Sequence, residues 1–259
     1  MKKIDSYLKQ LQREEVLHEQ GILQIFILIG QFVFLSSIYY LTSKRDKKLT
    51  KEIQGLLKTT RWKVRVLKGT KSLYNACSLS TNSVFVTQGL VRTSTHRELI
   101  AVVLHEVSHS RTLDSLSSVA VGTGSYILGF FGGLILAGTL PISGLFSYVL
   151  ALTMTLVLSE IGSAAFMRQL EYKSDSFAVK YGYGDDLISA FAKIKKMWKV
   201  PKCTSIFCKL KEKIDSWFAD HPEDKKRADH ILKKKEFYEA AKKGPATVRR
   251  YLKGALVRG

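Results

Sequence analysis

The sequence predicts an α+β membrane protein, mostly helical, with a small antiparallel sheet and about three transmembrane helices. Three observations lead there. Gly21–Thr42 and Ser115–Ser159 contain no Asp, Glu, Lys, Arg or His, in a chain that holds 41 Lys and Arg and 22 Asp and Glu. Arg61–Leu67 and Ser83–Val91 have strand character, the latter alternating in the manner of a strand. Leu99, Ile100, Val103, Leu104 and Val107 recur instead at helical spacing.

Residues 1–20 form an N-terminal tail. Gly21–Thr42 is long enough for a helix to cross a hydrocarbon core of ~30 Å. A cleaved signal peptide fits it poorly, because the segment before it is long and carries acids, and no small-residue cleavage site follows. The run from Ser115 exceeds one span and suits two, with Pro141-Ile142-Ser143-Gly144 as the turn. Helices are expected at about Ser117–Leu140 and Leu145–Phe166, a hairpin within residues 115–166. Ser125, Gly129, Gly133 and Ala137 stand at four-residue spacing on the first. Such a stripe lets helix backbones approach closely, on the next span or on a second copy of the chain in a homo-oligomer.

The formal net charge is +19. That excess calls for an anionic neighbour, nucleic acid or lipid headgroups. No nucleic-acid-binding module is recognisable, so nucleic acid is not an expected partner and membrane lipid is. Lys44, Arg45, Lys47, Lys48 and Lys51 follow the first span, whereas Glu14, Glu15 and Glu19 precede it. The positive-inside rule puts the N-terminus outside and the segment from Ser43 in the cytoplasm. Two further spans make the protein multi-pass and return the basic C-terminal third to that side. Cys77, Cys203 and Cys208 are an odd set without metal-type spacing, as for free thiols in a reducing compartment.

Within RELIAVVLHEVSHSR (Arg97–Arg111), His105 and His109 share one helix face. Two imidazoles so spaced can grip one Zn2+ ion, with Glu106 beside it as general base. A catalytic zinc needs a third protein ligand. RQLEYKSDSFAVKYG (Arg168–Gly182) offers one, since Glu171 and Asp175 are again four residues apart. Glu171 completes a His2Glu set, and Asp175 is placed to accept a hydrogen bond from the far nitrogen of a ligating histidine. The two spans between His109 and Glu171 return both halves of the site to the same membrane face.

Four stretches together resemble the HtpX-type membrane metallopeptidases, whose clan includes the CAAX prenyl endopeptidases. They are Asn75-Ala76 with SVFVTQGLV (Ser83–Val91), HEVSH (His105–His109), LEYKSDSFA (Leu170–Ala178) and HPEDKKR (His221–Arg227). The resemblance implies His105, His109 and Glu171 as zinc ligands, one ion per chain, and Glu106 as base. It further implies Asp175 as an outer acid, His221 as a catalytic residue that stabilises the oxyanion, and Arg227 as a partner arginine near the site. Asn75 falls at the rim of the substrate cleft. Ser83–Val91 reads as an edge strand for an extended polypeptide, making Ser83, Phe85 and Thr87 substrate-binding candidates. The sequence departs from the family in showing one span before the catalytic segment where two are usual, and it is too short to suggest CAAX processing.

The reading is therefore an integral-membrane zinc metalloendopeptidase. Residues 43–114 and 167–259 are two halves of one peptidase domain, which cuts membrane or misfolded proteins at the cytoplasmic face in a quality-control role. A processing protease for one membrane substrate shares all of this chemistry. A metal-binding membrane scaffold would not need Glu106.

Overall fold

The computed structural model describes residue 34 and residues 37–79, 82–112, 114–139, 144–198, 222–245 and 247. The chain divides into two units, 1–44 and 45–259. In the first, residues 37–42 are helical, and Thr42 Oγ1 donates to the Ile38 carbonyl at 2.7 Å. Most of the expected span Gly21–Thr42 lies outside the described residues.

The second unit takes its first helix, α1 (Lys47–Leu57), from an Asp46 N-cap that accepts from the Leu49 amide. The helix is amphipathic and buries Leu49, Thr50 and Ile53. A short strand, β1 (Ser43–Arg45), straddles the boundary of the units. Within the second unit the sheet runs β2-β4-β3, with β2 at Lys63–Leu67, β3 at Ala76–Leu79 and β4 at Ser83–Thr87. β3 pairs antiparallel with β4, but β2 pairs parallel with it. The sheet is thus mixed, which corrects the antiparallel expectation. β3 occupies the outer edge, and β4 lies inside the sheet and runs in the same direction as β2.

The expected strand Ser83–Val91 ends at Thr87, where the chain turns into α2 (Gln88–Thr93). Thr87 caps that helix through its side chain. Gly89 is required beside it: a Cβ there would stand 2.1 Å from the Leu73 carbonyl oxygen.

α3 (His96–Arg111) begins in a capping box in which Thr95 and Glu98 bond each other's backbone amides. Glu98 is buried and also accepts from Ser189 and Lys193 of α6 (Gly184–Trp198), at 2.6 and 2.7 Å. Burial alone would raise the carboxyl pKa. The bonds from Lys193, Ser189 and Thr95 outweigh it and hold the value at about 2. An unfolded glutamate titrates near ~4.3. The stabilisation is therefore complete above that value and fades as pH falls toward 2. Glu98→Gln should lower stability by about 1–3 kcal/mol at neutral pH, and the gap to wild type should narrow in acid. Unfolding in detergent at both pH values measures this, and a pH-independent gap would contradict it.

α4 (Asp114–Thr139) and α5 (Gly144–Lys180) pack against each other. The small-residue stripe is used here, between consecutive helices. Cβ atoms on Gly129 and Gly133 would meet Thr155 at 3.0 Å and Ala151 at 2.6 Å, and Ser125 abuts Gly162. Leu128, Phe131, Ile135, Phe146 and Val149 remain exposed on the outside of the pair. By length and composition, one described helix can cross a membrane, Phe146–Lys180, whose apolar 18-residue window has a mean hydropathy of 1.7; the apolar stretch Ala120–Ile135 of α4 is shorter. The expected turn at 141–143 lies outside the described residues. α5 continues without a break past Phe166 through Glu171 and Asp175, so one helix of 37 residues joins the apolar segment to the second motif.

A turn at Gly182, where φ is +86°, leads from α5 into α6. α7 (Asp224–Lys242) buries Arg227 and Ile231. Ile53, Val64, Val84, Val86, Leu104 and Ile231 belong to one continuous core that also takes in α6.

Candidate metal centre and active-site cleft

α3 holds His105 and His109 one turn apart, while α5 presents Glu171 and Asp175 toward them in the same way. His105 Nε2 and His109 Nε2 are 3.1 Å apart. Glu171 closes the triangle, Oε2 at 3.3 Å from His105 Nε2 and Oε1 at 3.4 Å from His109 Nε2. Together the three side chains form a group able to hold a metal ion.

The outer nitrogens face acids. Asp175 Oδ1 lies 3.0 Å from His105 Nδ1, off the line of a well-aligned hydrogen bond. Asp114 Oδ2 bonds His109 Nδ1 at 2.9 Å, and Thr112 donates to its other oxygen. Asp114 had drawn no attention in the sequence. Its signal was position: five residues beyond His109, it ends the gap between α3 and α4, where its carboxylate turns back onto the imidazole.

Arg227 reaches this group from α7. It binds Asp175 through two nitrogens at 2.9 and 2.6 Å, stands 3.0 Å from Glu171 Oε2, and lies over the Phe191 ring. Its buried charge offsets two buried carboxylates, which is why burial does not lower its pKa. Burial also works against a proton on His109, but bonds to Asp114 and Glu171, together with the charges of Glu106 and Glu171, raise that imidazole to about 10. The pocket has an excess of negative charge and attracts cations. Burial pushes the Glu106 carboxyl up, and Glu171 adds to the effect against the two histidines and a Ser78 backbone bond.

These groups open on a cavity of about 800 Å³. Asn75, Cys77 and Ser78 line one side of it, and Met167, Phe191 and Ile194 are among the other lining residues. Asn75, expected at the rim of a substrate cleft, lines this cavity. Ser83, Phe85 and Thr87 are not. They are buried in β4, which has neighbours on both sides, so the strand has no free edge to offer. The cleft-lining strand is β3. Thr87 instead pins the loop that carries Asn75, with its hydroxyl 2.7 Å from the Leu73 carbonyl and 3.0 Å from the Asn75 amide. His221 lies outside the described residues, while the adjacent Pro222 lines the cavity.

A comparison with curated protein sequences gave no match. Among solved structures, the chain is similar to a crystal structure of S. mikatae Ste24p, with a TM-score of 0.54 and 20% sequence identity. The likeness covers 80% of this chain but 56% of that one, and it is a likeness of fold. The family model of peptidase family M48 matches residues 44–235, a span that contains both histidines, Glu106, Glu171, Asp175 and Arg227. This chain belongs to peptidase family M48.

Proposed function

We propose that the protein is a membrane-embedded zinc endopeptidase in which His105, His109 and Glu171 hold the ion and Glu106 is the general base. The observation that carries this is the spacing of the three donors. Ligands about 2.0–2.1 Å from a tetrahedral zinc stand about 3.3–3.4 Å from one another. The closest contacts among the three side chains here are 3.1, 3.3 and 3.4 Å, the two to Glu171 being made by different carboxylate oxygens. Two imidazole nitrogens and a carboxylate are also the donor types that zinc takes in catalytic sites.

Zinc in this position supplies Lewis acidity, which acidifies water and polarises a peptide carbonyl. The residues do the rest. Asp114 keeps a proton on His109 Nδ1, which leaves Nε2 to face inward, and the Asp175 charge 3.0 Å from His105 Nδ1 favours the same tautomer there. Arg227 fixes Glu171 and Asp175 at once. Glu106 takes a proton from the attacking water, and its raised pKa suits it to hand that proton to the leaving amine. His221 is assigned to the oxyanion by resemblance. The polypeptide substrate is read as lying along β3, extended and paired with its backbone, beside Asn75.

The apolar hairpin supports a multi-pass membrane protein, and the basic residues after Ser43 support a cytoplasmic active site. Membrane or misfolded polypeptides are the substrates proposed, in quality control. Metal analysis of detergent-purified protein, with cleavage of an unfolded reporter, tests the proposal. One zinc per chain and chelator-sensitive cleavage are expected; a chain that takes up no zinc would refute it. Asp114→Asn should weaken zinc binding by about 10- to 100-fold, as outer partners of metal-bound histidines do. Competition with a calibrated chelator reads this out, and unchanged affinity would remove Asp114 from the site.

A further inference from the structure

A second cavity, of about 580 Å³, shares no lining residue with the first. It lies on the face of α5 that carries Tyr172, Lys173, Ser176 and Lys180, turned away from Glu171 and Asp175. Arg111 comes to it from the last turn of α3, and His230 and Lys234 come from α7. No carboxylate lines it. Arg111, Lys180 and Lys234 form no ion pair among the described residues. Lys173 reaches Asp114 only at 3.6 Å, and His109 and Thr112 already engage that carboxylate.

Three cations without a matching acid, with Lys173 beside them, make a positive concavity. His230 is held within it, with Nε2 2.9 Å from Ser176 Oγ and its ring against Tyr172. Burial and the Lys234 charge lower the His230 pKa, against the Asp175 charge and a Tyr172 backbone bond. The position is equally informative. Arg111 lies three residues before the start of α4, and Lys173 seven residues after Phe166, where the sequence reading ends the span. The near end of the cavity, at Arg111 and Lys173, therefore lies close to where the apolar hairpin meets the rest of the domain, and Lys180 lies farther along α5.

We propose that this cavity binds the phosphate headgroup of an anionic membrane phospholipid. The inference rests on the membrane-spanning reading of the hairpin. Lys and Arg bind phosphate oxygens by charge-assisted hydrogen bonds, and Tyr238 adds a hydroxyl at the same cavity. A headgroup in the membrane surface would be supplied at high local concentration at this level, which a free phosphate would not be.

The test uses the full chain in nanodiscs of phosphatidylcholine with phosphatidic acid. After re-extraction, lipid retained by the protein is quantified by mass spectrometry. Wild type should retain phosphatidic acid in preference to phosphatidylcholine. Lys180→Gln with Lys234→Gln should lower that retention about 25-fold, at about fivefold per cation removed. Lys234→Arg should keep it. Equal retention of both lipids by wild type, or undiminished retention by the double variant, would overturn the proposal. So would binding of inorganic phosphate to wild type without any lipid preference, because the source would then be soluble. Unchanged zinc content in the double variant shows that it folds. If that content is lost, Arg111→Gln carries the same test from the exposed end of α3. Failure of wild type to enter discs of phosphatidylcholine alone would refute the membrane reading separately.

Discussion

Glu106→Gln should lower kcat for peptide cleavage by about 10²- to 10⁴-fold and leave about one zinc per chain. Glutamine keeps the size of the side chain and loses the ability to take a proton. Glu106 is not one of the three converging donors, so the substitution should spare the metal. It does line the same cavity, and burial holds its carboxyl above the usual range. Metal analysis and steady-state kinetics on the same preparation separate the two effects. Retained kcat would exclude Glu106 as the base, and loss of zinc together with activity would mean that it supports the site structurally.

Glu171→Ala should have the opposite signature, with zinc lost first and activity following. It removes one of three donors, so its effect on affinity should exceed the about 10- to 100-fold expected for an outer partner such as Asp114. Arg227 retains its two bonds to Asp175, so the helix contact between α5 and α7 should survive. The far-ultraviolet circular dichroism of the variant should accordingly match wild type. Full zinc occupancy in Glu171→Ala would mean that another residue completes the set.

Much of this site was legible in the sequence because helical spacing is local information. His105 with His109 and Glu171 with Asp175 each declare a shared face within one turn, and the structure brings the two faces together. Other features were not local. Nothing in SVFVT distinguishes an edge strand from an internal one, because that depends on whether Lys63–Leu67 pairs beside it. The parallel pairing is hidden for the same reason. Asp114 carries no motif of its own, standing at the end of residues 43–114 just before the uncharged run, and only the fold aims it at His109. Arg227 lies more than fifty residues from Asp175 in sequence, and the family resemblance, not the spacing, pointed to it.

The unbroken α5 has a mechanical consequence. A helix rises ~1.5 Å per residue, so Glu171 sits about 7.5 Å beyond Phe166 on one rod. His105 and His109 belong to a different helix, packed in the domain core. On the membrane-spanning reading proposed above, a change in bilayer thickness loads this rod through hydrophobic mismatch. Ala178 and Val179, beyond Glu171, stay packed in the same core as the histidine helix, so the strain falls on the stretch that carries Glu171. The proposed donor set, with contacts of 3.1–3.4 Å, can tolerate little of that strain. Lipid chain length alone should therefore tune metal retention, coupling the enzyme to the physical state of the membrane that holds it.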